Sequence, residues 1–250
     1  MTENPENIVR LEDAGFRSGD RQCVGPLTLE FRERRVGIVG RNGAGKSTML
    51  RLLAGLDSPT EGRVVVHGRN PARERRWAVG KIGMIFQNPD QQIIFPTVEE
   101  ELAFGLKQLG QGRNAARQAV RECLEMHGRA DWARQQCHSL SQGQRHFLCL
   151  LAVLLMKPDI LLLDEPFSGL DLPTSTWLKR ELQDVGQQVI LATHDMELLR
   201  SCDRVIWLEH GRMAGDGLPG EVLPVYLEAM ERLSAGSGQN RSVGDHPCWH

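Results

Sequence analysis

The sequence predicts an α/β protein with a helical lobe inserted into it. Three observations carry that expectation. The first third holds short apolar runs punctuated by Gly, Pro and charge. The middle is dominated by helix formers, and the last third returns to strand–helix alternation. This divides the chain into a body of residues 1–87 and 158–233, a lobe of residues 88–157, and a Gly/Ser-rich tail of residues 234–250 expected to be disordered.

Each element has a local reason. Ile8–Leu11, Leu27–Phe31 and Val36–Val39 read as strands, and Lys46–Ala54 as a helix whose apolar residues Met49, Leu50, Leu53 and Ala54 recur at helical spacing. Asp57–Gly62 is a turn, with further strands at Arg63–His67 and Ile82–Phe86. In the lobe, Thr97 followed three residues later by Glu100 has the capping-box pattern. Gly110-Gln-Gly112 separates that helix from a second one running from about Asn114 to His127, and Ser141 opens a third that stops near Pro158. Ile160–Leu163 is a continuous aliphatic run, the mark of a parallel strand buried on both faces. Helix Leu172–Val185, strand Gln188–Ala192, helix Met196–Ser201, strand Val205–Leu208 and a helix near Glu221–Leu233 follow, with Gly211 and Gly215–Gly217 read as turns.

Composition excludes several classes. The 250 residues carry 30 basic and 32 acidic side chains, a net charge of −2, which argues against a dedicated nucleic-acid binder. The local cluster Arg69–Arg76 reads as a solvated hairpin or loop. The longest apolar run, Phe147–Met156, is half of what a bilayer span needs, so membrane association must come through a partner. The six cysteines show no CxxC spacing and no secretory signal precedes them, so they read as reduced packing thiols. His246-Pro-Cys-Trp-His250 has metal-ligand residue types but reads as tail.

Chemistry enters at Gly40-Arg-Asn-Gly-Ala-Gly-Lys46-Ser47-Thr48, which fits GxxxxGK[ST] between a strand and a helix. Glycines let the backbone curl so that its N–H groups converge on phosphate oxygens, and the helix adds its positive end. Lys46 can reach the β- and γ-phosphates and Ser47 can offer its hydroxyl to Mg²⁺. Ile160-Leu-Leu-Leu-Asp164-Glu165 ends an aliphatic strand in two carboxylates. Asp164 can hold Mg²⁺ directly or through water, which leaves Glu165 to polarise the attacking water. Leu140-Ser-Gln-Gly-Gln144 sets Ser141 and Gly143 where an anion could dock, or where Ser141 simply caps its helix. Gln87 closes a strand where the lobe begins and can touch Mg²⁺ or water, His194 follows another strand, and Ser168-Gly-Leu-Asp171 forms a turn beyond the acidic pair.

In this order and spacing the motifs resemble the ATP-binding cassette (ABC) ATPases over about residues 8–233. The resemblance implies a P-loop NTPase core of mixed sheet with an N-terminal antiparallel β subdomain and an inserted α-helical subdomain. It implies ATP and Mg²⁺ as cofactors. Gly40, Asn42, Gly43, Gly45, Lys46, Ser47 and Thr48 would belong to the Walker A loop, Asp164 to Walker B, and Glu165 would be the catalytic base. Gln87 would be the Q-loop glutamine, His194 the switch histidine, Ser141, Gly143 and Gln144 part of the signature, and Asp171 part of the D-loop. Phe16 would be the aromatic that stacks on adenine. Two departures stand out: Gln142 replaces the glycine usual in the signature, and Phe16 the usual tyrosine.

The same resemblance implies a head-to-tail dimer, a second copy being the simplest partner. Phe86-Gln-Asn-Pro-Asp-Gln-Gln-Ile-Ile-Phe-Pro-Thr-Val-Glu-Glu-Glu-Leu-Ala-Phe-Gly105 is similar to the ATPases of energy-coupling factor importers for vitamins and transition-metal ions. That likeness implies a transmembrane coupling protein gripping Asn88–Phe95, a separate substrate-binding membrane protein, and a place on the cytoplasmic membrane face. Without a long extra C-terminal domain, the chain looks most like dedicated biotin, cobalt or nickel systems, with biotin favoured. A generic ABC importer ATPase and a soluble ABC-type assembly ATPase are the alternatives.

Overall fold

The computed structural model describes residues 8–238. Strands β1 (Val9–Ser18) and β2 (Arg21–Phe31) form an antiparallel hairpin across a tight turn at Gly19-Asp20. Both strands are longer than their apolar runs alone predict, because the polar stretch around the turn is held by pairing rather than by burial. β4 (Glu61–Val66) joins the other edge of β1, giving a three-stranded sheet in the order β2-β1-β4.

The second sheet has six strands in the order β5-β6-β7-β3-β8-β9. β3 (Arg35–Val39), β5 (Ile82–Ile85), β6 (Ile160–Asp164), β7 (Gln188–Ala192) and β8 (Arg204–Glu209) run parallel, and β9 (Arg212–Gly217) closes the edge antiparallel to β8. The aliphatic run of β6 is buried along its whole length. Ile160 and Leu162 pack into the core shared with Phe31, Met49 and Leu50. Leu161 and Leu163 face the opposite core, shared with Phe147, Leu148 and Tyr226. The period of two along one strand thus serves two cores.

Helix α1 (Lys46–Leu53) follows β3, and helices α3 (Val98–Gln108), α4 (Arg113–Met126) and α5 (Gln142–Leu155) lie between β5 and β6. Thr97 caps α3 by accepting from Glu100 N. Phe147 on α5 anchors the lobe to the body: its ring lies 4.0 Å from that of Trp177 on α6 (Leu172–Asp184) and 5.4 Å from His127. Edge-to-face geometry at these distances adds to the area buried. α7 (Met196–Arg200) links β7 to β8.

Three sequence expectations need correction. The Arg69–Arg76 stretch is not only loop: Arg75 and Arg76 begin a short helix α2 (Arg75–Lys81), fastened by buried Ala78, while Arg69 pairs with Glu74 at 2.9 Å and lies over the Trp77 ring. The Gly-rich stretch read as turns at Gly215–Gly217 is strand β9, since ladder bonds to β8 order a polar edge that lacks apolar alternation. The final helix α8 (Pro219–Gly238) starts at a proline, which suits a first turn, and runs past Leu233, with Ser234 bonded back to Met230 O. Residues 239–250, which complete the expected tail and include the His246–His250 tract, lie outside the described residues. Among the described residues, Cys137, Cys149 and Cys202 are buried, and no helix is long and apolar enough to cross a membrane.

Candidate active site

Adjacent parallel strands deliver the site from their carboxyl ends, where ligands bind in open α/β sheets. β3 runs into the Gly40–Thr48 loop, β5 leads to Gln87, β6 ends at Asp164, and His194 lies two residues beyond β7. A cleft of about 390 Å³ opens there, walled by Asn42, Gly43, Gly45, Lys46, Ser47 and Thr48 on one side and Gln87, Asp164 and Glu165 on the other. Nine of the expected site residues therefore share one cavity.

The loop is shaped by its glycines. Gly45 caps α1 with φ 105°, a conformation that L side chains rarely adopt, and a Cβ there would stand 2.7 Å from the Cys23 carbonyl oxygen. A Cβ on Gly40 would collide with the Leu208 carbonyl. Lys46 is buried, and its ammonium donates to Gly40 O at 2.6 Å and lies 3.2 Å from His194 Nε2. Burial holds the Lys46 pKa below its usual value, against the pull of Glu165 and Asp164.

Asp164 is buried at the end of β6 and hydrogen-bonded to Ser47. Desolvation raises its pKa, with Ser47, Lys46 and Arg51 opposing the rise. Its Oδ1 has no hydrogen-bond partner among the described residues. An orphaned carboxylate oxygen beside a hydroxyl, in a cleft also lined by Gln87, is an oxygen-donor set suited to a hard dication that keeps most of its shell for water and phosphate. Among the described residues, no group of three or more His, Cys, Asp or Glu could hold a metal ion.

Glu165 adopts φ 47°, and its N–H donates to Ala192 O at 2.9 Å. Its carboxylate receives the His194 backbone N–H and the Thr193 hydroxyl, yet burial outweighs these bonds and raises its pKa. Oε1 is buried without a hydrogen bond and faces His194 Nε2 at 3.4 Å. Burial, and then Lys46, lower the His194 pKa, which favours a neutral imidazole.

The Ser141, Gly143 and Gln144 group does not reach this cleft. It forms the start of α5, where Ser141 Oγ accepts from Gln144 N and the Gln144 side chain accepts from Ser141 N at 2.8 Å. The hydroxyl proton of Ser141 is left free to donate. A Cβ on Gly143 would stand 2.7 Å from Thr174 Cγ2, so this turn lies against α6, whose N-cap is Asp171. The Gln142 side chain covers Gly169, joining the signature turn to the Ser168–Asp171 turn of the same chain.

Phe16 is not in the cleft either. It pairs with Val24 across the β1–β2 ladder and, half-buried, packs on the core below. Cross-strand partners share a face, and Val24 is fully buried, so Phe16 turns inward. β2, not β1, abuts the loop, and its alternate residues Arg21 and Cys23 wall the cleft. Sequence reading missed these two. No local signal marks them: strict alternation back from Leu27 and Leu29 would put both on the buried face, and the register shifts of the β1–β2 ladder set Val24 there instead.

Known proteins resemble the chain in sequence and in backbone. A family profile described as ABC transporter matches residues 26–168. The chain is 53% identical over 225 residues to the biotin transport ATP-binding protein BioM of Rhodobacter capsulatus, covering 89% of this chain and 96% of that one. It is 34% identical to an energy-coupling factor transporter ATP-binding protein of Mycoplasmoides gallisepticum, over 88% and 81% of the two chains. Its backbone resembles a solved dimeric ATP-binding cassette in a post-hydrolysis state with ADP and Pi, with TM-score 0.74, 27% identity, and 84% and 98% of the chains covered. The profile match spans more than half of the chain and takes in the phosphate loop, Gln87 and the acidic pair, so the chain belongs to the ABC transporter family, as one of its ATP-hydrolysing cassettes.

Proposed function

We propose that this chain is the ATPase of an importer of the energy-coupling factor type, and that biotin is the cargo of the assembled transporter. The observation that carries the first part is the segment from Gln87 to Phe95. It leaves the cleft at Gln87 and is fastened by buried Glu101, whose Oε2 accepts from Ile94 N at 2.9 Å and Phe95 N at 2.8 Å. Ile94 itself is exposed. An exposed side chain on a braced backbone that leads from the cleft at Gln87 suits a contact that transmits the nucleotide state to a transmembrane coupling protein. Identity to a biotin transport protein over almost all of both chains supports the cargo. No residue of the ATP cleft would read that cargo; a separate membrane protein would, and this chain would be held at the cytoplasmic membrane face by its partners.

In this reading the loop amides and Lys46 hold the triphosphate. Glu165 takes a proton from the attacking water as the bond to the γ-phosphorus forms, and ADP leaves. His194 aligns the water and the γ-phosphate, and Gln87 lies at the junction with the lobe. Ser47 and Asp164 would hold Mg²⁺, with Gln87 nearby; the ion would neutralise charge on the phosphate oxygens. Because the Ser141–Gln144 turn lies off the cleft, a second copy placed head to tail would bring its turn to the γ-phosphate and complete the site. Positioning and charge complementarity account for most of such catalysis.

Uptake of labelled biotin by cells lacking this chain tests the proposal. Restoration by the wild-type chain, competed by biotin but not by cobalt or nickel ions, is the expected result. Uptake that is normal without the chain would overturn the cargo. Co-purification with membrane proteins that survives charge reversal at Asp90 together with Ile94→Asp would overturn the docking segment.

A further inference from the structure

Gln142 opens α5, but its side chain does not join the wall of the ATP cleft. It lies over Gly169 instead: a Cβ built there would stand 2.8 Å from Gln142 Nε2 and 3.5 Å from its Cδ and Oε1. Gly169 has φ 75°, a conformation that suits glycine, so it has no side chain to shield its own face of the turn. The turn closes on itself, with Ser168 N donating to Glu165 O at 3.1 Å and Leu170 N to Phe167 O at 3.3 Å. The first of these bonds ends on the residue that carries the catalytic carboxylate. We propose that Gln142 is a positioning residue for Glu165 of its own chain, a role that rests on Glu165 being the base. Its side chain seats the turn at Gly169, and the turn holds Glu165 toward the cleft.

Glu165 needs such support. Its φ of 47° is strained, and a strained backbone persists only where its surroundings over-determine it. The far end of the turn is fixed to α6, since Thr174 N donates to Asp171 Oδ1 at 2.8 Å and Thr174 lies against Gly143. Gln142 meets the middle of the turn, and its own backbone is held by His146, whose Nδ1 lies 3.1 Å from Gln142 O. The contact with Gly169 is one of cover rather than of charge. An unbranched side chain of this length reaches Gly169, and the glycine usual at this place in the signature would leave it bare. A group that acted only on a partner's phosphate would leave the turn unchanged in a chain without nucleotide.

Amide exchange on the full chain without nucleotide, read beside steady-state ATPase and equilibrium ATP binding, tests this. Gln142→Ala shortens the side chain and keeps a good helix start. Exchange at Ser168 and Leu170 is expected to quicken about threefold or more, while β6 stays slow. The kcat is expected to fall about fivefold, with ATP affinity within about twofold of wild type, because positioning is lost and not binding. Gln142→Met keeps the length without the amide and is expected to restore both slow exchange and kcat. Gln142→Ser is expected to behave like Gln142→Ala. Wild-type exchange or wild-type kcat in Gln142→Ala, a parallel loss of ATP affinity, or no recovery in Gln142→Met would each overturn the assignment. Turnover retained in Glu165→Gln would instead remove the base, and the faster exchange of Gln142→Ala would stand. Gln142 is exposed, so these variants are expected to fold.

Discussion

Glu165 Oε1 and His194 Nε2 face each other at 3.4 Å, and Lys46 Nζ stands 3.2 Å from the same imidazole nitrogen. The cation is held between His194 and the Gly40 carbonyl, to which it donates at 2.6 Å. A neutral histidine can accept from that ammonium, so the lowered His194 pKa and the buried Lys46 support each other.

Replacement of Glu165 by Gln removes the base and keeps the volume. Turnover is expected to fall by about 10²–10⁴-fold, while ATP binding is retained. Steady-state ATPase assays with a separate nucleotide-binding measurement check both halves, and normal turnover would remove Glu165 from its role.

The pH dependence follows from the same burial. Glu165 must be ionised to take a proton, and its pKa is raised, so the acid limb of the rate profile is expected to lie above the ordinary carboxylate range. Stability moves the other way. A carboxyl whose folded pKa is raised binds its proton more tightly in the native state, so stability falls as pH rises from the unfolded value through the folded one. Asp164 shares that sign. At pH 7, Asp164→Asn is expected to melt at a higher temperature than wild type without nucleotide, and to lose turnover. Calorimetry at several pH values reads the trend.

His146 is buried on α5 with Nδ1 3.1 Å from Gln142 O and Nε2 3.3 Å from Gln87 O. It ties the strand-end glutamine to the signature turn. His146→Leu removes the ring N–H that lies between the Gln142 and Gln87 carbonyls and is expected to cost about 1–3 kcal/mol in urea unfolding. His146→Gln keeps a donor and is expected to recover part of that loss.

Glu101→Ala would leave the Ile94 and Phe95 amides without their shared acceptor. Hydrogen exchange across Asn88–Phe95 is expected to quicken while exchange in β6 stays slow. Glu101→Gln retains an acceptor oxygen and is expected to protect the segment in part.

What was legible in the sequence was what local geometry dictates. The Gly40–Thr48 loop, the Asp164-Glu165 strand end and the Thr97 and Ser141 caps each carry their conformation in a few adjacent residues. Phe16 was not legible in this way, because its face depends on the register of a hairpin, and a shift of one residue exchanges core for cleft. The same dependence hid Arg21. α2 and β9 were obscured for a different reason: one is basic, the other Gly-rich, and each is fixed by a contact that its own composition does not announce, Trp77 against His67 and β9 on β8 across a short turn.

Glu165 carries a backbone strain of its own. Its φ of 47° is one that Gly and Asn tolerate and Glu does not, at a cost of about 1–2 kcal/mol. Stability and turnover are therefore set against each other in the backbone of this residue as well as in its charge. A library sorted for heat resistance alone is expected to enrich Gly or Asn at residue 165, and its most robust members would be the ones that no longer hydrolyse ATP.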